Sequence, residues 1–432
     1  MYQTHSTIGR GGLKSLTLLV TLFLVSSPSV SQTASAPTTP DLMIDQIKEC
    51  VVFVQGAYSA QEMHIVNGVS TSVTVEKPLS GTGFLIFVAD PRLGKDNLGK
   101  DNGLTYLVTN RHMIREPNAA GVLGEGPYFK DLTVRINLKS ASPDGTQFAN
   151  TTISVVDQAG SLLWFVDSQD ETVDLAITPF FPDEKIADYK TIPSTLFATK
   201  DLVKAQQINE NDELLFAGLF AWSPGTKKNY PIVRHGKVAR LSGERIPLDK
   251  TRPDRTVDAH LADVMSFGGN SGSPVFVRLG GIREPLIGPP TTGFSYYLLG
   301  VMEGFFPENM DFAINVAQLR GSAAQNRGIA AVVPIDKVLL LLDSARGKAY
   351  LDRIVAGTLA KNGDLQGATK LYEEAVGLLE KTSPLHSDYA VLLEDYAAVL
   401  RKQGRSGQAK AAEEHATRIR GDAQNDRLHP KI

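Results

Sequence analysis

Between Ile44 and Leu341 the chain alternates short apolar runs with polar turns. Val51–Val54, Gly83–Phe87, Tyr106–Thr109, Leu132–Ile136, Thr152–Val156 and Leu175–Thr178 come first; Glu213–Ala217, Ile232–Val238, Val275–Val277, Leu298–Met302 and Ala330–Val333 follow. Their shortness and their Val, Ile, Leu and aromatic content predict strands. Pro143-Asp144-Gly145, Pro224-Gly225 and Gly280-Gly281 are turn signals between them. Few segments in this region carry a helical period, so the pattern predicts a mainly β unit, a barrel or sandwich, and not an alternating α/β fold. Leu93–Gly103 reads as an exposed hairpin loop and Arg278–Ser295 as an irregular loop.

After Asp343 the texture changes to Ala, Leu, Glu and Lys. LAKNGDLQGATKLYEEAV, starting at Leu359, has a counterpart in LRKQGRSGQAKAAEEHAT, starting at Leu400. Gly363 then matches Gly404, Ala368 matches Ala409, and Ala375 matches Ala416. Each unit predicts a helix, a turn at glycine and a second helix, with small residues where helices pack closely. This resembles tetratricopeptide repeats of longer period than usual, and the resemblance implies a small all-α domain that binds a protein partner.

The amino terminus has its own pattern. Arg10 and Lys14 precede the apolar run Leu16–Val25, and small residues follow to Ser31. This order is that of an export signal, and the run is shorter than the roughly 20 residues a membrane span takes. Cleavage is expected after Ser31, giving a secreted or periplasmic protein. The expected organisation is a signal peptide at 1–31, a linker at 32–43, the β unit at 44–342, helical repeats at 343–422 and a tail at 423–432.

Composition narrows the function. With 42% hydrophobic residues in 432, the chain can build more than one core. Lys and Arg number 44 against 47 Asp and Glu, a balance without the basic excess that binding to nucleic acid needs. Cys50 is the single cysteine, which excludes an internal disulfide and a cysteine-rich zinc site. No H-E-x-x-H spacing occurs, so neither a metal site nor any cofactor is expected.

The chemistry centres on Gly269-Asn270-Ser271-Gly272-Ser273-Pro274. A serine hydroxyl is a weak nucleophile and needs a base and a pair of donors for the oxyanion it creates. Glycines let the backbone turn tightly, so the N–H groups of Gly269 and Ser271 are candidate donors. Among eight histidines, His5, His386, His415 and His429 fall in the signal, the helical repeats or the tail. His112 ends the apolar run Tyr106–Thr109 in a polar turn; His64, His235 and His260 read as structural. Asp174 enters the apolar run Leu175–Thr178, where an acid needs a partner, whereas Asp167 and Asp170 lie in a polar run.

The order His112, Asp174, Ser271 differs from the α/β-hydrolase and subtilisin orders and is that of the chymotrypsin type. The sequence resembles trypsin-like serine proteases, and is closer in texture to the disulfide-free bacterial HtrA-like branch. The resemblance lies in Ser80–Phe84, Leu107–His112, Val173–Ile177 and Gly269–Pro274, with further similarity at Leu299–Val301 and Gly328–Pro334. It implies a double β-barrel with a triad in the cleft, in which His112 is base then acid, Asp174 orients it and Ser271 is the nucleophile. It also places Met265 at the base of a substrate pocket walled by Glu303 and Phe305. The function so implied is a serine endopeptidase acting on protein or peptide; the competing expectations are an inactive protease-like scaffold and a hydrolase of small esters.

Overall fold

The computed structural model describes residues 40–66, 69–247, 253–280, 293–314 and 319–428. The expected signal peptide and most of the loop expected at 278–295 lie outside them. Helix α1 (Pro40–Glu49) starts within the stretch read as a linker. Proline suits a first helical turn because the amide hydrogen it lacks has no intrahelical partner there.

Seven strands make the first lobe: β1 (Val51–Val66), β2 (Val69–Ala89), β3 (Gly103–Thr109), β4 (Asp131–Asn137), β5 (Phe148–Ser154), β6 (Ala176–Pro179) and β7 (Ile192–Pro193). Their order is β5-β4-β1-β2-β3-β6, with β7 running parallel beside β2. This lobe is an open half-barrel. Short helix α2 (Lys200–Ala205) leads into the second lobe, formed by β8 (Glu213–Gly218), β9 (Ile232–Arg240), β10 (Ile246–Pro247), β11 (Thr256–Val257), β12 (His260–Asp263), β13 (Pro274–Leu279), β14 (Ser295–Ile314) and β15 (Leu319–Pro334). Here β12-β15-β14-β13-β8-β9 close into a barrel, and β10 pairs with β11.

Two pairs of strands outrun their apolar runs. β1 and β2 pair continuously from Val51↔Phe84 to Val66↔Val69. Their outer halves are polar and are joined by cross-strand bonds such as Gln61 Nε2 to Thr74 Oγ1 at 2.7 Å. β14 and β15 likewise pair out to Ile314↔Leu319. Main-chain pairing, not burial, extends the β1–β2 hairpin, so hydrophobic pattern could not mark its end.

Helices α3 (Asp336–Leu342), α4 (Ala345–Lys361), α5 (Leu365–Thr382), α6 (Ser387–Lys402) and α7 (Ser406–Leu428) complete the chain. Ser344 and Asp364 cap α4 and α5 by accepting the amides of Gly347 and Gly367. Gly363 and Gly404 turn between helices at φ +91° and +76°, the left-handed region that favours glycine. The paired alanines 368, 375, 409 and 416 are all buried, as close helix packing requires. Helix α7 passes 422 and reaches Leu428, there being no proline before Pro430 to stop it. Among the described residues, no helix is long and apolar enough to cross a membrane.

Each lobe has its own core, one around Trp164, Leu85 and Val134, the other around Phe216, Val275 and Leu299. A further cluster joins everything. Phe53 and Phe84 of the first lobe, Phe276 and Leu298 of the second, and Val338 and Val355 of α3 and α4 belong to it. The seam between the lobes is therefore held from behind by the helices.

Candidate active site

Strand β3 is buried at every position and delivers the chain to a single 3₁₀ turn at Arg111–Ile114, which carries His112. The buried Asn110 before it donates from Nδ2 to the carbonyl of Asp174 at 2.8 Å. Asp174 returns two bonds. Its Oδ1 accepts the His112 amide at 2.8 Å and its Oδ2 meets Nδ1 of the imidazole at 2.6 Å. This fixes the ring and puts its proton on Nδ1, leaving the Nε2 lone pair outward. Both side chains are only 15% exposed. Burial disfavours the imidazolium, but the adjacent Asp174 charge and hydrogen bond outweigh it and raise the His112 pKa above its usual 6.5.

Ser271 lies on two successive β-turns before β13. The Asn270 amide donates to the Phe267 carbonyl and the Ser273 amide to the Asn270 carbonyl, each at 3.0 Å. Gly269 and Gly272 are the third residues of these turns, at φ +98° and +84°. A Cβ on Gly272 would stand 1.9 Å from the Thr82 carbonyl oxygen, so only glycine fits. Asn270 is buried and locks the first turn, accepting the Phe267 amide and donating to the Leu219 carbonyl, both at 2.8 Å. The amides of Gly269 and Ser271 donate to no other group among the described residues. The Ser271 hydroxyl donates to the main-chain carbonyl of Glu303 at 3.1 Å.

Thr82, from β2 of the first lobe, stitches this loop across the seam. Its hydroxyl donates to the Gly269 carbonyl at 2.7 Å and accepts the Leu219 amide at 2.9 Å, and its amide donates to the Ser271 carbonyl at 2.8 Å. Sequence reasoning gave Thr82, Asn110 and Asn270 no role of their own. Their signal was a polar residue within an otherwise apolar or glycine-rich motif.

His112, Asp174 and Ser271 line one cleft of about 820 Å³. Val122–Glu125, Arg255 and Val257 form part of its wall, and Arg111, Arg115 and Glu171 are further charged groups on it. Arg255 pairs with Glu125 at 2.7 Å, and the buried Arg111 reaches Tyr128 and the Asp167 carbonyl, each at 3.2 Å.

Of the expected pocket residues, Glu303 lines the cleft. Burial, and then the charge of Asp174, push its carboxyl well above the usual carboxylate range, against the opposing charge of Arg255. Met265 is 41% exposed, sits beside Gly328 and is not among the residues that line this cleft. Its neighbours Ser266, 2% exposed, and Phe267 do line it. Phe305 sits opposite Ala330 in β14, and its side chain lies outside the described residues.

The remaining candidates for chemistry fall away on geometry. His260 is buried, accepts the Ser242 amide at 2.8 Å and has its pKa lowered by burial to about 4. His64 and His235 are exposed on strands β1 and β9. Cys50 is buried, chiefly for which reason its thiol is pushed up to about 12. Among the described residues, no group of three or more His, Cys, Asp or Glu side chains could hold a metal ion.

A comparison with curated proteins found no match. Residues 81–282 match the family model for the trypsin-like peptidase domain, a span that begins in β2 and includes His112, Asp174 and Ser271. With one open and one closed antiparallel β lobe meeting at the cleft, this part of the chain is a trypsin-like peptidase domain in sequence and in fold.

Proposed function

We propose that the protein is an exported serine endopeptidase in which Ser271 attacks the peptide carbonyl, His112 moves the proton and Asp174 orients the imidazole. The observation that carries this reading is the double grip of Asp174 on His112 in the cleft that also holds Ser271 and two unengaged amides. In this mechanism the Ser271 hydroxyl leaves the Glu303 carbonyl and donates to Nε2 of His112. As Oγ bonds to the substrate carbon, the proton passes to Nε2, and the amides of Gly269 and Ser271 receive the oxyanion. The same proton then goes to the leaving amine, and water repeats the sequence on the acyl-enzyme.

In this reading the region 44–342 is the peptidase, and the hairpins α4/α5 and α6/α7, at 343–422, are tetratricopeptide-like and bind a protein partner. Export, to the outside or the periplasm, rests on the basic and apolar order before Ser31. Amino-terminal sequencing of the exported protein should begin at Gln32.

A serine-directed phosphonate probe tests the chemistry. The full chain should label and Ser271→Ala should not; labelling that survives the substitution overturns the assignment. Cleavage of peptides as well as small esters separates an endopeptidase from an esterase. Failure of wild type to label favours the inactive scaffold.

A further inference from the structure

The helices grip the peptidase lobes at a particular strip of main chain. Arg346, in the first turn of α4, donates to the carbonyls of Leu162 at 2.7 Å and Trp164 at 3.1 Å. Nε and Nη2 of the same guanidinium reach Oδ2 of Asp388 in α6, at 3.1 and 2.7 Å. The fork is 17% exposed and lies over the ring of Phe165, 5.5 Å from its centroid. His386 precedes α6 and caps it. Its Nδ1 accepts the Asp388 amide at 3.1 Å, so Nε2 carries the proton and donates it to the Leu162 carbonyl at 2.9 Å. Two side chains of the helical region thus saturate one carbonyl of the β region.

That strip leads directly to the reactive pair. Phe165 and Ile177 exchange both main-chain bonds, at 2.7 and 3.0 Å, only three residues beyond Asp174. Trp164 is fully buried, with its indole N–H on the Ser154 carbonyl. The Asp167 carbonyl takes a bond from Arg111, next to His112. Phe165 also meets Tyr350 of α4 edge-on, with centroids 6.0 Å apart. Held this way, the strip from 162 to 167 supports both partners of the His112–Asp174 contact.

We propose that Arg346, assisted by His386, is a positioning residue for the reactive site: by holding the carbonyls of Leu162 and Trp164 it keeps the Asp174 carboxylate in register with His112. The helical region is then part of the site's frame as well as a surface for partners. The inference rests on the reading of His112 and Asp174 as base and orienter, and its test uses a readout that does not require turnover.

The test is the titration of His112 by NMR in the full chain, with histidines labelled at Cε1 and the resonance assigned by its loss in His112→Ala. In wild type the midpoint should lie above 6.5. Arg346→Gln should move it downward by about half a pH unit or more, because retreat of the carboxylate weakens the field that raises it. Phosphonate labelling of Ser271 should slow by about tenfold or more, as misplacement of a reacting pair does. Arg346→Lys, which keeps the charge but not the fork, should recover part of both effects. Asp388→Asn loosens Arg346 by a gentler change and should shift the midpoint in the same direction if Arg346→Gln fails to fold. Arg420→Gln, which removes an exposed pair with Glu394 between α7 and α6, should leave the midpoint alone.

An unmoved His112 midpoint in folded Arg346→Gln or Asp388→Asn would overturn the proposal and leave Arg346 a purely structural residue. Absence of Ser271 labelling in wild type, with the midpoint still responding to Arg346, would instead count against the peptidase reading alone.

Discussion

Asp174 acts on His112 through both of its oxygens, and the two bonds do different things. The bond to the main-chain amide places the residue, while the bond to Nδ1 selects the tautomer. In the proposed reaction His112 must be neutral to accept a proton. Its raised pKa means that kcat/KM falls as pH drops through a midpoint above 6.5, which a pH profile on a peptide substrate would show. Asp174→Asn removes what raises the pKa and leaves burial, which lowers it. The acid limb should therefore shift to lower pH while the plateau drops by on the order of 10⁴-fold. His112→Ala and Ser271→Ala should each remove at least about 10⁴ of the turnover with the fold retained by circular dichroism. Because these groups act as a unit, the double variant should be little worse than either single one; additive losses would count against the assignment.

At the scale of elements, two glycine turns make a controlled comparison. Gly272 at φ +84° faces the Thr82 carbonyl, whereas Gly363 at φ +91° faces open space. A left-handed backbone costs an L-residue roughly 1–2 kcal/mol wherever it occurs. Gly363→Ala should cost about that much in urea unfolding and leave phosphonate labelling intact. Gly272→Ala adds the clash with Thr82, so it should destabilise more and abolish labelling. The same elements show what pattern can reveal. His112 was legible because an apolar run, later strand β3, ended in a polar turn. The stitching by Thr82 was not legible, since its bond to Gly269 spans 187 residues and a lone threonine in a glycine-rich motif has no periodicity.

For the whole molecule the central apolar cluster matters most, because it draws on both lobes and on α3 and α4. Baring a side chain the size of Val or Ile forfeits about 1.5–3 kcal/mol, against a total stability of roughly 5–15 kcal/mol. Without α4, the cluster loses Ile354 and Val355, and Phe165 loses Tyr350. A chain ended after Leu342 should therefore aggregate or bind a hydrophobic dye, and should label poorly. A truncated chain that melts and labels like the full protein would show that the helices are an independent module.

The residue pattern alone determined the β-then-α division, most of the short strands, the glycine-centred helical hairpins and the three side chains of the proposed reaction. These are local properties: periodicity, turn chemistry, or a polar residue at the end of an apolar run. Tertiary structure alone decided that Ser266 and not Met265 lines the cleft, that the polar hairpin of β1 and β2 outruns its apolar root, and that Arg346 holds a carbonyl 184 residues away. Those outcomes depend on which main-chain groups and surfaces remain unpartnered once the lobes close, and no local stretch of sequence carries that information.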